Sequence, residues 1–235
     1  DIALPVLNEL KIKAFFFIST SVYTSNPNLL EVYRYFRSNF YENVNLFYKD
    51  FYNNLEINME NFFTEKSKEI TTRKKKFPFY SLEDIKFRIT RDLFLNKIKY
   101  DEIMGKMLSQ KNVNTKNILS ISFINEKELG VMKKDGHIIG LHTHNHPTRL
   151  MDLSLKNQFK EYNENLNHLS EILKIDKREI NTMAHPSGSY NTNTLKVLKD
   201  LNIDIGFKQI MDNNTNKNSC YEIPRQDHSA ILKNI

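Results

Sequence analysis

Hydrophobic residues along this chain form two patterns: short apolar runs, and longer segments in which apolar residues recur at helical spacing. The apolar runs have the length of buried strands and lie at 13–18, 137–141, 180–184 and 204–208. The helical patterns lie at 2–10, 125–136, 154–173 and 192–201. Repeated alternation of helix and strand predicts an α/β fold built on a parallel sheet or a barrel.

The stretch 28–110 has a different pattern, with no recognisable strand. Aromatic residues recur there at mixed helical spacings, with Asn and Lys between them: Tyr33, Phe36, Phe40, Phe47, Phe51 and Phe62. We predict a helical insertion within a single domain, 1–235. Its rings are expected to pack on one another rather than to form a sugar-binding platform.

One helix of this insertion is predicted to begin after Ser81, which has the position of an N-cap. Its apolar face would carry Leu82, Ile85, Ile89 and Leu93. Arg88 and Arg91 on the same helix could reach carboxylates or a substrate, and a salt-bridged surface is the simpler explanation.

Composition narrows the class of protein. The chain has 235 residues, of which 40% are hydrophobic, enough for one sizeable core. No apolar run approaches the ~20 residues of a membrane span. The single cysteine, Cys220, excludes an internal disulfide framework and suits a reducing compartment, so we expect a cytoplasmic protein. The net charge of +6 and the basic run Arg73–Lys76 suit a solvated surface, and no motif predicts binding to nucleic acid.

The strongest sign of chemistry is a histidine cluster. His142, His144 and His146 follow the predicted strand at 137–141, and Pro147 disfavours an α-helical conformation at His146. Neutral imidazole is a strong ligand for zinc and similar ions, so a turn that carries these rings predicts a metal site. A histidine-rich surface loop is the alternative interpretation.

A second informative segment, Met183–Asn191, follows the strand at 180–184. Pro186 and Gly188 predict a sharp turn, and Asn191 can cap the helix at 192–201. In parallel α/β folds the active site lies at the carboxyl ends of the strands, so both loops are expected to line one cleft.

These two segments together resemble the polysaccharide deacetylases of the NodB-homology group, carbohydrate esterase family four. The resemblance rests on Gly-His-Ile-Ile-Gly-Leu-His-Thr-His-Asn-His-Pro, followed further along by His-Pro-Ser-Gly-Ser-Tyr-Asn. The segments 3–18 and 222–228 are also similar to parts of that domain. The resemblance implies a distorted (β/α) barrel that hydrolyses N-acetyl or O-acetyl groups. The substrate would be a glycan or a sugar intermediate of cell-surface polysaccharide synthesis.

The resemblance also implies a metal centre. The family's His-Ser/Thr-x-x-His motif supplies two ligands to a divalent ion, and His142 and His146 match its two histidines. We expect the ion to be zinc. His144 lies between them and could substitute as a ligand.

The remaining site residues follow from the same resemblance. The segment that walls the substrate groove corresponds here to His185, Pro186, Ser187, Gly188 and Tyr190. Alternatively, His185 only closes the turn. Ser187, Ser189 and nearby backbone N–H groups would face the carbonyl oxygen as it gains negative charge.

Three catalytic candidates lie near the end of the chain. Arg225 would stand in for the family's groove arginine, His228 would be the general acid, and Asp227 would orient His228. A surface-exposed terminal loop explains all three residues equally well. His137 and His168 are expected to be solvated and are not candidates.

One departure from the family pattern is important. The family carries an Asp-Asp-Gly motif on its first strand, which supplies the third metal ligand and the catalytic base. No Asp-Asp pair precedes the helix at 2–10, and Asp1 lies too close to that helix to be either aspartate. We expect the chain to be a fragment that lacks this strand, or else a divergent member, and to be nearly inactive by itself.

Two other functions remain open. A non-catalytic relative would bind sugars without hydrolysing them. A metallo-phosphoesterase would use His142-Thr-His144 as a His-x-His pair, with further ligands from His185, Asp204, Asp227 and His228.

Overall fold

The computed structural model describes residues 3–209 and 219–225. The chain divides into two compact units, one formed by Asp1–Asn28 with Phe123–Ile235 and the other by Leu29–Ser122. The second unit is helical. It ends at Ser122, whereas the sequence predicted an insertion that ends at 110.

The described helices are α1 (Ala3–Glu9), α2 (Leu30–Asn39), α3 (Val44–Leu55), α4 (Glu60–Glu65), α5 (Ser67–Lys76), α6 (Leu82–Ile89), α7 (Lys97–Gln110), α8 (Thr115–Ser122), α9 (Glu126–Lys134), α10 (Leu155–Leu173) and α11 (Thr192–Asp200). The described strands are β1 (Phe15–Ile18), β2 (Ile138–Leu141), β3 (Thr182–Ala184) and β4 (Ile205–Phe207). None of the helices within 3–209 and 219–225 is long and apolar enough to cross a membrane.

The four strands form one sheet in the order β1-β2-β3-β4, and every pair of neighbours is parallel. The predicted α/β class is therefore confirmed. Closure of this sheet into a barrel stays a prediction. Because parallel strands end at the same edge of a sheet, the segments that follow β1, β2 and β3 meet there.

The core of the first unit lies between the sheet and the helices α9, α10 and α11. Its buried residues include Leu129, Ile139, Leu141, Tyr162, Leu169, Met183 and Leu198. Gly140 on β2 permits the close approach of β3: a Cβ atom at this position would lie 2.6 Å from the Thr182 hydroxyl and 2.7 Å from its carbonyl oxygen. Only glycine therefore fits there without a shift of the strands.

The core of the second unit is aromatic, as the sequence predicted. Tyr33, Phe36, Phe47 and Phe51 are buried, and the rings of Phe51 and Phe87 are 4.9 Å apart in an edge-to-face arrangement. Phe40, which remains 39% exposed, is the exception.

The helix that follows Ser81 differs from the prediction. Ser81 does cap it, because its side chain accepts a hydrogen bond from the backbone N–H of Asp84 at 3.0 Å. The α-helix ends at Ile89, however, and Thr90–Phe94 form a π-helical turn. A π turn holds one more residue than an α turn and shifts the phase of the residues after it. Leu82 is 48% exposed, so the predicted apolar face is incomplete.

Two histidines that were expected to be solvated are not. His137 is only 2% exposed, and its Nδ1 accepts a hydrogen bond from the backbone N–H of Ala14 at 3.2 Å. This contact places its ring against Phe16 at the start of the sheet. His168 is half-buried, with its ring centroid 4.9 Å from that of His144. Solvation was therefore the wrong prediction for both.

Candidate active site

The histidine loop, residues 142–146, is a turn that leaves the end of β2. Thr143 and His146 both have left-handed backbone conformations, with φ of 63° and 50°. His146 therefore lies outside the right-handed helical region, as Pro147 predicted. The carbonyl oxygen of His142 accepts hydrogen bonds from the hydroxyls of Ser19, at 2.8 Å, and Thr143, at 2.6 Å.

Asn165 on α10 joins this loop to the segment after β1. Its side chain is fully buried, and its Oδ1 accepts a hydrogen bond from the backbone N–H of His142 at 2.9 Å. Its Nδ2 donates to the carbonyl of Ile18 at 2.9 Å and to the hydroxyl of Thr20 at 3.1 Å. One buried amide thus fixes the position at which the His142 backbone leaves the sheet.

Glu161, one helical turn before Asn165, holds the next part of the loop. Its two carboxylate oxygens accept hydrogen bonds from the backbone N–H of Asn145, at 2.8 Å, and from the Asn145 side chain, at 2.9 Å. Its carbonyl accepts from the backbone N–H of His144 at 3.0 Å. The loop is therefore anchored to α10 at three residues: His142, His144 and Asn145.

The His142 ring has a defined tautomer. Its Nδ1 lies 2.8 Å from the carbonyl oxygen of Ala184, at the end of β3. A carbonyl oxygen can only accept, so Nδ1 carries the proton and donates it. In the neutral ring the lone pair is then on Nε2, which is the arrangement found in histidines that bind metal ions.

The rings of His142 and His146 lie side by side, with centroids 4.8 Å apart and planes inclined at 62°. Two imidazoles that share a tetrahedral zinc ion at about 2.1 Å have centroids roughly 5 Å apart. The separation therefore fits a shared ion. Within residues 3–209 and 219–225, no group of three His, Cys, Asp or Glu side chains has the arrangement of a complete metal site.

His144 faces away from this pair and towards α10. Its Nδ1 is 3.0 Å from the hydroxyl of Thr20, and its ring contacts that of His168 edge to face. Burial, and next the neighbouring His168, lower the pKa of His144. Its place in the loop is structural in this geometry, and its side chain lies apart from the His142–His146 pair.

The loop after β3 is tied to the segment 219–225 by His185 and Tyr190. His185 is 1% exposed, its Nε2 donates to the carbonyl of Tyr221 at 2.8 Å, and its ring stacks on Tyr190 at 4.0 Å. Burial lowers the pKa of His185 to about 4, so the ring is neutral at pH 7. The Tyr190 hydroxyl donates to Glu222 at 2.9 Å.

This packing bears on the predicted substrate groove. The buried His185 ring and the buried Pro186 support the loop from within, which agrees with the alternative in which His185 closes the turn. Ser187 is exposed and Gly188 is half-buried, and both have left-handed φ, of 53° and 66°. Contact of Ser187, Gly188 and Tyr190 with a sugar stays a prediction.

Ser189 anchors its own loop, and its predicted contact with the acetyl carbonyl stays a prediction. It is 8% exposed, and its hydroxyl oxygen accepts a hydrogen bond from the backbone N–H of Met151 at 3.1 Å. Asn191 completes this connection, because its side chain donates to the carbonyl of Met151 at 2.8 Å. These two bonds join the loop after β3 to the segment that follows the histidine loop.

Of the three catalytic candidates, the structure describes Arg225 alone; Asp227 and His228 lie outside the described residues. Arg225 is exposed, and its Nε donates to the carbonyl of Lys208, the residue that follows β4, at 3.2 Å. Its guanidinium is therefore attached at the carboxyl end of the sheet. Its predicted part in orienting a base stays a prediction.

Sequence reasoning missed Glu161 and Asn165, which hold the histidine loop. A signal was present for Asn165, because it lies on the apolar stripe of α10 between Tyr162 and Leu169, which are both buried. A polar residue at a buried helical position needs hydrogen-bond partners. The sequence cannot say which loop provides them.

Comparison with known proteins agrees with these motifs. Residues 103–206 match the polysaccharide deacetylase family model. No curated protein matches the chain at a significant level. The similar solved structures include a Streptococcus pyogenes deacetylase, PplD, in complex with acetate, at 23% identity and a TM-score of 0.41, with 55% of this chain and 58% of that chain covered.

A second similar structure is the BpsB deacetylase domain from Bordetella bronchiseptica. It is 16% identical, with a TM-score of 0.39, and the match covers 44% of this chain and 48% of that one. The chain thus spans between about half and three fifths of the solved chains that it matches.

Proposed function

We propose that this protein hydrolyses acetyl groups on a carbohydrate with the help of a divalent metal ion. The match of residues 103–206 to the polysaccharide deacetylase family model supports this proposal. The observation that carries the proposal is the pair of His142 and His146, whose rings lie 4.8 Å apart at the carboxyl end of the parallel sheet. For the substrate we propose an acetylated glycan or a sugar intermediate of cell-surface polysaccharide synthesis.

His142 and His146 are the residues that would hold the ion, for which we propose zinc. A divalent ion there would polarise the acetyl carbonyl and lower the pKa of a bound water. The Ala184 carbonyl supports this role, because its hydrogen bond with Nδ1 directs the His142 lone pair at Nε2 outwards. Asn165 supports it further by fixing the His142 backbone.

The neighbouring loop is proposed to contact the sugar. Its exposed Ser187 and half-buried Tyr190 follow β3, whose last residue, Ala184, already contacts the His142 ring. The proton transfers need a carboxylate base and an acid. We propose His228 as the acid, oriented by Asp227, and Arg225 as the residue that orients the base. The attachment of Arg225 beside β4 supports this part of the proposal.

The geometry gives less support to a phosphoesterase of the His-x-His type. Such a site needs the rings of His142 and His144 on one ion, and the His144 ring lies against His168 instead. A non-catalytic relative that binds acetylated sugars remains the alternative to the enzyme.

Metal binding tests the histidine pair directly. The chain is freed of metal with a chelator and titrated with zinc in a calorimeter, alongside His142→Gln, His146→Gln and the matched control His168→Gln. Either ligand variant is expected to weaken zinc binding roughly 100-fold, because one of two imidazoles is lost. The control is expected to bind zinc as the unaltered chain does. Equal zinc affinity in all four proteins would contradict the proposed site.

Catalysis is measured separately, as acetate released from an N-acetylglucosamine oligomer with and without chelator. Acetate release that needs both zinc and His142 supports the deacetylase. Zinc binding at the pair, with saturable binding of the oligomer and no acetate release, supports the non-catalytic relative instead.

A further inference from the structure

A pocket in the helical unit is lined by four arginines. Arg34 and Arg37 lie one turn apart on α2, Arg88 lies in the last turn of α6, and Arg91 lies in the π-helical turn that follows. The enclosed part of this pocket has a volume of about 10 Å³, roughly the space of one water molecule, and the rest is open to solvent. Four guanidinium groups seldom meet in one pocket without an anionic partner, because like charges repel.

The acidic residues nearby compensate only part of this charge. Asp84 is shared by two of the arginines: its Oδ1 accepts from Arg37 and its Oδ2 from Arg88, each at 3.1 Å. Asp84 also accepts a hydrogen bond from the Tyr48 hydroxyl at 2.9 Å. A single carboxylate therefore holds two guanidinium groups of the pocket in fixed positions.

A second carboxylate is shared in the same way. Asp92 receives two hydrogen bonds from Arg91, at 2.7 and 3.0 Å, and lies 3.6 Å from the guanidinium of Arg73. Arg34 pairs with Glu31 on the same helix. Arg73 also pairs with Glu69, at 2.7 Å. Five arginines thus meet four carboxylates, which leaves an excess of one positive charge around the pocket.

Several guanidinium donors remain available after these pairs are formed. Nε of Arg37 is buried and has no hydrogen-bond partner among the described residues. The one hydrogen bond found for Arg88 uses its Nε, and its guanidinium carbon lies 4.1 Å above the Tyr80 ring. The guanidinium has five donors, so its Nη groups remain for a ligand. A buried donor without a hydrogen-bond partner costs free energy, so Asp84 satisfies the Arg37 guanidinium only in part.

We propose that this pocket binds a phosphoryl group. Arginine pairs recognise phosphate oxygens with several parallel hydrogen bonds, and a phosphoryl group offers more acceptor oxygens than a carboxylate does. Phe87 and Tyr100 line the same pocket and are almost fully buried, so they keep water from the guanidinium groups and strengthen the attraction. The π turn at Thr90–Phe94 fits this assignment, because such turns often occur at functional sites.

The pocket opens to solvent, so the phosphoryl group could be free or attached to a sugar that extends outwards. Titration calorimetry with inorganic phosphate and with glucose 1-phosphate distinguishes the two sources. The full chain is used, in chloride buffer of constant ionic strength. Tighter binding of the sugar phosphate would assign the attached form, and equal binding would assign the free ion.

Two variants test whether the arginines form the site. Arg34→Gln removes a 40% exposed side chain whose partner is a surface glutamate, so the fold is expected to persist. Arg88→Gln removes a more buried guanidinium. Each variant is expected to weaken phosphate binding about tenfold, since each removes charge-assisted hydrogen bonds. Arg178→Gln is the matched control, because Arg178 is 86% exposed and pairs only with Asp176.

The titrations of these variants have outcomes that support the phosphate site and outcomes that overturn it. Saturable binding that weakens in Arg34→Gln and Arg88→Gln and not in Arg178→Gln supports the proposal. Absence of saturable binding of both ligands overturns it. Binding that is the same in Arg34→Gln as in the control also overturns it, and this variant remains informative if Arg88→Gln does not fold.

Discussion

Replacement of Asn165 by alanine is the sharpest test of how the histidine loop is held. The substitution removes three hydrogen bonds: one accepted from the backbone of His142, and two donated to Ile18 and Thr20. The side chain is fully buried, so water cannot replace the amide without entering the core.

The magnitude follows from these three bonds. A buried hydrogen bond contributes about 1 kcal/mol net, and a buried group left without its partner costs about 1–3 kcal/mol. The His142 N–H and the Ile18 carbonyl both lose a partner, so Asn165→Ala is expected to lower the free energy of unfolding by roughly 3–5 kcal/mol. Because partners that orient a metal ligand contribute to affinity, zinc binding is expected to weaken about 10–100-fold.

Urea denaturation gives the free energy of unfolding, and zinc titration of the folded variant gives the affinity. Asn163→Ala is the matched control, because Asn163 lies on the same helix and makes none of these bonds. This control is expected to stay within about 0.5 kcal/mol of the unaltered chain. If Asn165→Ala and Asn163→Ala unfold at the same urea concentration and bind zinc equally, Asn165 does not hold the loop.

Two further predictions concern the sheet and its second loop. Because burial lowers the pKa of His185 to about 4, below its ordinary value near 6.5, the stability it confers is complete above pH 6.5 and is lost as the pH falls through 4. Urea unfolding from pH 7 to 4 should therefore show a loss on the order of 3 kcal/mol that is absent in His185→Gln; identical pH dependence of the two proteins would contradict the shift. Gly140→Ala should destabilise the fold by at least about 2 kcal/mol, because its Cβ would overlap Thr182. Gly130→Ala, with no atom within 4 Å, should be neutral or stabilising, and equal melting temperatures of these two variants would refute the steric argument.

The sequence predicted those parts of the structure that depend on local patterns. Each predicted strand is present. A short apolar run such as 137–141 is stable as a strand that is buried in a parallel sheet. The spacing of His142 and His146 predicted neighbouring rings, and the rings are neighbours. Both results follow from positions that lie close together along the chain.

The parts that were missed depend on residues far apart along the chain. His137 was predicted to be solvated because it precedes the strand at 138–141, and it is instead buried against Phe16 of β1, with a hydrogen bond from Ala14. The direction of the His144 ring depends on His168, which the sequence places on a different element. Asn165 contacts residues 23 and 147 positions away. No local pattern contains such information.

The π turn illustrates a different limit. The residues around Leu93 continue the helical pattern of α6, and the extra residue in the turn leaves no trace in hydrophobicity. The turn becomes visible only through its hydrogen bond from Leu95 to Thr90, one residue longer than in an α-helix.

The pairing of β1 with β2 has a consequence for the order in which the chain folds. Phe15 pairs with Ile138, so this contact closes a loop that contains the whole unit Leu29–Ser122. Closing a long flexible loop costs chain entropy before any contact is gained, which slows folding. The enclosed unit has its own aromatic core, so it can collapse early and shorten the effective distance between the two strands. Completion of the sheet, and with it the placement of the histidine loop, is then expected to be a late folding event.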